Sequence, residues 1–237
     1  MPSLVSVGSG QFAPGGLLLT TVSAPNLTYV GSSVSGMTNV VTLYLSSLVT
    51  CVAGISNLMQ SCTSLNLNSL QTMATGNFNA GLNSLLSLSC PALTFIGGTF
   101  NMTSTGMTSL SMPLLTSIGT VSNGFNPNLP ALTSLDMSSL TTVGGTMTLA
   151  NLSALTAISF PALTTVSGTL NMSTNATTVS FPLLTTCFGV GGVSTTATSL
   201  NMNSFTNTTT ASFALTYSAL TSLSLPAIVS LATFIQL

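Results

Sequence analysis

The only ionised side chain this sequence offers at neutral pH is the carboxylate of Asp136; Lys, Arg, His and Glu are absent. Chemistry therefore has few candidates: that carboxylate, the thiols of Cys51, Cys62, Cys90 and Cys187, and many Ser and Thr hydroxyls. A Ser or Thr nucleophile needs a base, and Asp136 has no His through which to relay a proton. General acid–base catalysis lacks its usual players for the same reason. Asp136 lies in TSLDM, at an alternate position where sibling segments carry Ser or Asn. It reads as a solvated residue on an outward ladder; the competing reading is a cation ligand assisted by neighbouring Asn oxygens. The cysteines show no C-x-x-C spacing, and no His completes a zinc set. Cys51 and Cys187 fill a slot where other segments carry Val or Ile, which predicts small buried side chains. A disulfide involving Cys62 and Cys90 is the alternative if the protein is exported. The chain is expected not to be an enzyme and to hold no cofactor and no metal.

The missing charge excludes more than catalysis. Without Lys or Arg there is no phosphate clamp and no Coulombic steering, so a nucleic-acid partner is not expected. Electrostatic attachment to anionic lipid falls with it. A net charge of −1 also removes the repulsion that keeps proteins apart, which predicts an association-prone chain. Disorder is not expected, because 45% of the residues are hydrophobic. The N-terminal run MPSLVSVGSGQFAPGG shows neither a basic region nor a long apolar one, so no signal peptide is seen. No window reaches the ~18 uninterrupted apolar residues of a spanning helix.

Positioning falls to a repeat. Aligned on the Pro of a PaLttvgG phrase, with Ser or Asn allowed there, the anchors are Pro25, Ser46, Asn68, Pro91, Pro113, Ser138, Pro161, Pro182, Asn203 and Pro226. Successive spacings are 21, 22, 23, 22, 25, 23, 21, 21 and 23 residues. A period this regular over the whole chain signals a solenoid. Each unit carries two alternating runs, such as TSLSM at Thr108 before an anchor and GTLNM at Gly168 after one. Alternation of apolar with Ser, Thr or Asn is the period of a half-buried strand, and Gly, Asn and Pro mark corners.

The expected fold is all-β: a right-handed parallel β-solenoid of about ten coils, 21–25 residues each, with residues 1–24 as N-terminal segment and first strand or cap and 25–237 as one repeat domain. In one coil Leu135, Met137, Leu140, Val143, Met147 and Leu149 should point inward. In the next, Ile158, Phe160, Leu163, Val166, Leu170 and Met172 take the equivalent places. In-register stacking would set a Lys over a Lys, which explains part of the missing charge.

The segments LTAISFPALTTVSGTLNM, Leu155–Met172, and LTSLDMSSLTTVGGTMTL, Leu132–Leu149, resemble the LxxLxFPxLxxVxGxLxI repeat of the receptor L-domain family. The resemblance covers most of the chain and is weak before Pro91 and around Asn203. It implies a leucine-rich-repeat-like β-solenoid used for binding or display. Related degenerate repeats occur in microbial adhesins and tailed-phage virion proteins. This chain lacks the charges, dense cysteines and signal peptide of the receptor members, which favours a virion part.

The functional expectation is a structural protein that assembles into, or decorates, a virion (phage fibre or capsid surface) or another extracellular assembly. A microbial adhesin binding glycan or protein through one face is the alternative, and an ice-binding protein, from the Thr and Asn ladders, a minor one. Homo-oligomers or assembly partners are expected, without a membrane span. FIQL ends on apolar residues, so Phe234, Ile235 and Leu237 are expected to contact another chain. Sequons at Asn26, Asn101, Asn151, Asn171, Asn175 and Asn207 matter only in a glycosylating cell.

Overall fold

A computed structural model describes residues 1–16, 18–56, 61–120, 124–194, 196–208 and 213–229. Among them every regular element is a strand, and the strands form parallel sheets stacked as a β-solenoid of about nine turns. The Pro anchor has a specific local role. In every coil the residue two after the anchor donates its N–H to the carbonyl of the residue just before it, as in Leu93 to Cys90 (3.2 Å) and Leu115 to Met112 (3.1 Å). The anchor is thus the second residue of a β-turn, where the fixed φ of proline is already correct. Where Asn68, Ser138 or Asn203 replaces Pro, a backbone N–H reappears and must be satisfied. In each case the side chain two residues earlier accepts it: Asn66, Asp136 and Asn201, all at 3.2 Å.

The turn feeds a long sheet whose path has ten strands, from Ser6–Val7 through Phe95–Ile96 and Thr142–Val143 to Asn207–Thr208. Its register steps from Tyr29 to Thr50, Thr72, Phe95, Ser117, Thr142, Thr165, Thr186 and Asn207, so it repeats the spacing of the anchors. The column comes from the Ltt(v/i) stretch between the two alternating runs, which adds a third strand to each coil. The two runs supply the other columns. Before the anchors run Ser87–Ser89, Ser109–Ser111 and Ser134–Asp136. After them Phe12, Val34, Ile55, Phe78, Phe100, Phe125, Met147, Leu170, Val190 and Phe213 pair one above another.

The first coil belongs to this stack. Pro2, Leu4 and Val7 repeat the anchor phrase, Ser6–Val7 pairs with Tyr29–Val30, and Thr21–Ser23 pairs with Thr42–Tyr44. The segment set apart as 1–24 therefore supplies all three columns. The strand that would follow Pro226 in the long column begins beyond residue 229, outside the described residues.

The core runs the length of the rod. Met137, Leu140, Val143, Met147 and Leu149 are buried in one coil, and Ile158, Phe160, Leu163, Val166, Leu170 and Met172 in the next. Leu135 is only partly buried and packs against them. Aromatic rings meet between coils: Phe78 and Phe100 at 5.6 Å, Phe100 and Phe125 at 5.2 Å, Phe125 and Phe160 at 6.1 Å, Phe160 and Phe181 at 5.7 Å. Each such pair adds about 0.5–1.5 kcal/mol beyond area burial.

Because Phe100 contacts rings on both sides, Phe100→Ala should cost about 3–5 kcal/mol. Phe95→Ala, on the outer side of the long sheet, should cost far less. Urea unfolding followed by circular dichroism measures both; equal losses would contradict the stacked-ring core.

Candidate functional site

Asp136 is part of the frame. Its Ser111 partner precedes it in the sheet, and its carboxylate accepts the Ser138 N–H as Asn66 and Asn201 accept theirs. An amide oxygen does the same job, so the bond does not need the charge. No group of three or more His, Cys, Asp or Glu capable of holding a metal occurs among the described residues.

The four cysteines are free and buried, so the Cys62–Cys90 bridge is not formed. The reason is positional: Cys90 ends the run before its anchor, as Leu67 does one coil earlier, whereas Cys62 lies five residues ahead of Leu67. Cys51 and Cys187 stack in the slot of Val30 and Val166. Burial raises the Cys51 thiol from 9.0 to about 11, and Cys90 and Cys187 to about 12, and it raises Cys62 as well. Thiols this hard to ionise are poor nucleophiles. The Tyr217 phenol is also raised by burial, and it donates to the Met172 carbonyl at 2.7 Å.

Threonine is abundant on the exterior, and two of its columns have their hydroxyls engaged. Thr116, Thr141, Thr164, Thr185 and Thr206 each donate to the carbonyl of the Thr one coil before, at 2.8–3.0 Å. A second column does likewise at Thr133, Thr198 and Thr221. Some of these carbonyls also take two backbone N–H groups: Thr141 accepts from Thr164 and Thr165. These residues serve as strand-entry fasteners, and each hydroxyl oxygen still presents acceptor capacity to solvent.

A concavity lies among the described residues of the exterior. A groove of about 400 Å³ is lined by Gly144, Gly145, Thr146, Ser167, Gly168, Thr169 and Phe188. The floor is glycine of necessity: a Cβ on Gly168 would sit 2.6 Å from the carbonyl carbon of Gly145. The strand Thr165–Asn171 holds two residues, Ser167 and Gly168, opposite the single Phe188 of Thr186–Ser194. Beside that bulge Phe188 alternates with buried Cys187 and so faces outward, where it is 44% exposed.

No protein-family model, no curated protein and no solved structure matches the chain. The reading rests on its own residues.

Neither the groove nor Phe188 was singled out in the sequence, although a signal existed. Phe188 stands in the column of Gly97, Gly119, Gly144 and Ser167, so an aromatic there departs from the repeat. Phe234, Ile235 and Leu237, expected to contact another chain, lie outside the described residues.

Two outcomes follow for these groups. Asp136→Asn should leave stability within about 0.5 kcal/mol, while Asp136→Ala should cost about 1 kcal/mol and regain it when combined with Ser138→Pro. Urea midpoints of the four proteins decide this, and a loss on Asp136→Asn would assign the charge a role of its own. The thiols predict the alkaline limb. The unfolded chain releases its thiol protons first, so their stabilisation is complete below pH 9 and disappears as pH rises towards 11–12. Melting temperature should be level from about pH 5 to 8 and fall above 9, and Cys187→Val should shallow that fall.

Proposed function

We propose that this chain is a non-enzymatic structural protein: a neutral β-solenoid that assembles into, or decorates, a virion (a phage fibre or capsid surface) or another extracellular assembly. The supporting observation is the exterior, where threonine hydroxyls are tied to the protein's own carbonyls through coil after coil. Packing such a surface against another molecule strips no Lys or Glu of water, and desolvating charge is the largest cost of forming a contact. No repulsion holds copies apart. The likeness of the repeat to the receptor L-domain family fits display rather than catalysis.

A surface adhesin or recognition module is the second reading, and the groove beside Phe188 favours it. A recognition module would work as a free or anchored monomer, whereas a particle component would not be found alone.

The chain should travel with particles through a density gradient of its native source. Purified, it should self-associate to the same extent from about 0.05 to 1 M NaCl, since no Coulombic contact is available for salt to screen. A protein that stays monomeric at high concentration and separates from particles would sink the assembly reading.

A further inference from the structure

Seven phenylalanines, Phe78, Phe100, Phe125, Phe160, Phe181, Phe205 and Phe213, are fully buried in the solenoid. Phe188 shows how the chain handles one that is not. It occupies a column of small residues, at a bulge where two residues face one, and its ring forms the wall of an open groove. The remainder of the groove is polar without being charged. Gly144 and Gly145 are buried beneath it and Gly168 is half-buried, its N–H donated to the Gly145 carbonyl, while Thr146, Ser167 and Thr169 contribute hydroxyls. No charged residue lines the groove.

The chemistry of a ligand follows from those three features. A neutral lining gives no preference to phosphate, carboxylate or ammonium groups, which need an opposite charge to repay their desolvation. An aromatic wall selects a ligand with an apolar face. Hydroxyls select one whose edge is rich in hydroxyls that both donate and accept. A pyranose ring has both: C–H bonds on its face and hydroxyls around its rim. The volume of about 400 Å³ lies within the 300–1,000 Å³ range of small-ligand sites, and the groove opens to solvent, so a chain of sugars can cross it without threading.

We infer that this groove is a subsite for a neutral saccharide, one ring lying on Phe188 and its hydroxyls bonding those of Thr146, Ser167 and Thr169. A single shallow site of this kind binds with a Kd on the order of millimolar. Display of many copies on one surface raises the working affinity by orders of magnitude without further contacts. The inference goes beyond the assembly role, since a particle component and a free recognition module would carry the subsite equally. Its failure would leave the particle experiment untouched.

Amide NMR titration of the intact chain tests it with three probes at equal concentration: a panel of neutral disaccharides, a uronic-acid disaccharide and benzyl alcohol. At least one neutral disaccharide should shift the amides of Thr146, Gly168, Thr169 and Phe188 in a saturable way. Phe188→Ala should weaken that binding at least ten-fold with no change in melting temperature, because the ring is half outside the core. Phe188→Trp should retain or tighten it, and Thr146→Val, which keeps the shape and removes one hydroxyl, should weaken it several-fold. The proposal is overturned if no neutral disaccharide moves these amides at about 50 mM, well above a millimolar Kd. It is equally overturned if Phe188→Ala binds as before. Benzyl alcohol binding as tightly as the sugars would make the site a generic apolar patch, and the uronic-acid probe binding as tightly would remove the selectivity for neutral rings.

Discussion

Every coil of this protein must lay its residues directly over their counterparts one strand spacing below, about 4.8 Å away. That parallel registration governs residue choice throughout. A residue type acceptable once must be acceptable beside itself, because Thr142 lies under Thr165 and Val143 under Val166. Threonine passes this test better than most. Its β-branch suits a strand, its methyl groups pack, and its hydroxyl donates to the carbonyl beneath it. Phenylalanine passes inside, where rings such as Phe160 and Phe181 stack with an interplanar angle of 1°. Glycine is forced where coils touch, as at Gly31, whose Cβ would collide with the carbonyl of Gly8.

Registration also explains what could be read directly from the residues. Because each coil copies the last, the spacings between anchors and the register of the long sheet are the same series, 25-residue step included: Pro113 to Ser138 and Ser117 to Thr142 are one insertion seen twice. The inward positions followed from period-two alternation. Three things did not. That the long column is strand did not follow from alternation, because its strands are mostly two residues long, although its inward Val143 and Val166 did. Pro2 was passed over because the first coil diverges after Gly8. The dependence of Asn66, Asp136 and Asn201 on a non-proline anchor is a relation between two positions, invisible until the turn geometry showed which N–H needed a partner.

The groove was illegible for a deeper reason. A repeat announces its rule, whereas a site is an exception to the rule, and one exception among ten degenerate copies looks like drift. Phe188 gains meaning only when its column is known to be small and its neighbours are known to be Gly144, Ser167 and Gly168 across two coils. The bulge opposite it is a property of paired strands, so no single segment could reveal it. Cysteine raised the opposite problem. Four thiols suggest chemistry, yet Cys51 and Cys187 are spaced by the repeat, where a small apolar side chain meets the same need as valine.

The neutrality that registration makes tolerable is still more than registration requires. Stacked columns penalise a ladder of like charges, but they do not forbid a Lys in one coil beside a Glu in the next. Natural sheets use such charges to protect their edges from pairing with other chains. A rod that gives up that protection at every outward position either avoids its own kind by some other means or is built to be covered. Threonines whose hydroxyl hydrogens are already committed to backbone point to the second. They leave a surface of methyl groups and acceptor oxygens that loses little when water is removed. In the same setting Asp136 loses its apparent singularity, because its oxygen completes a turn that an asparagine completes elsewhere. Beside the groove the exterior adds an aromatic ring, Phe188, and a ring is a feature that adds selectivity without adding charge.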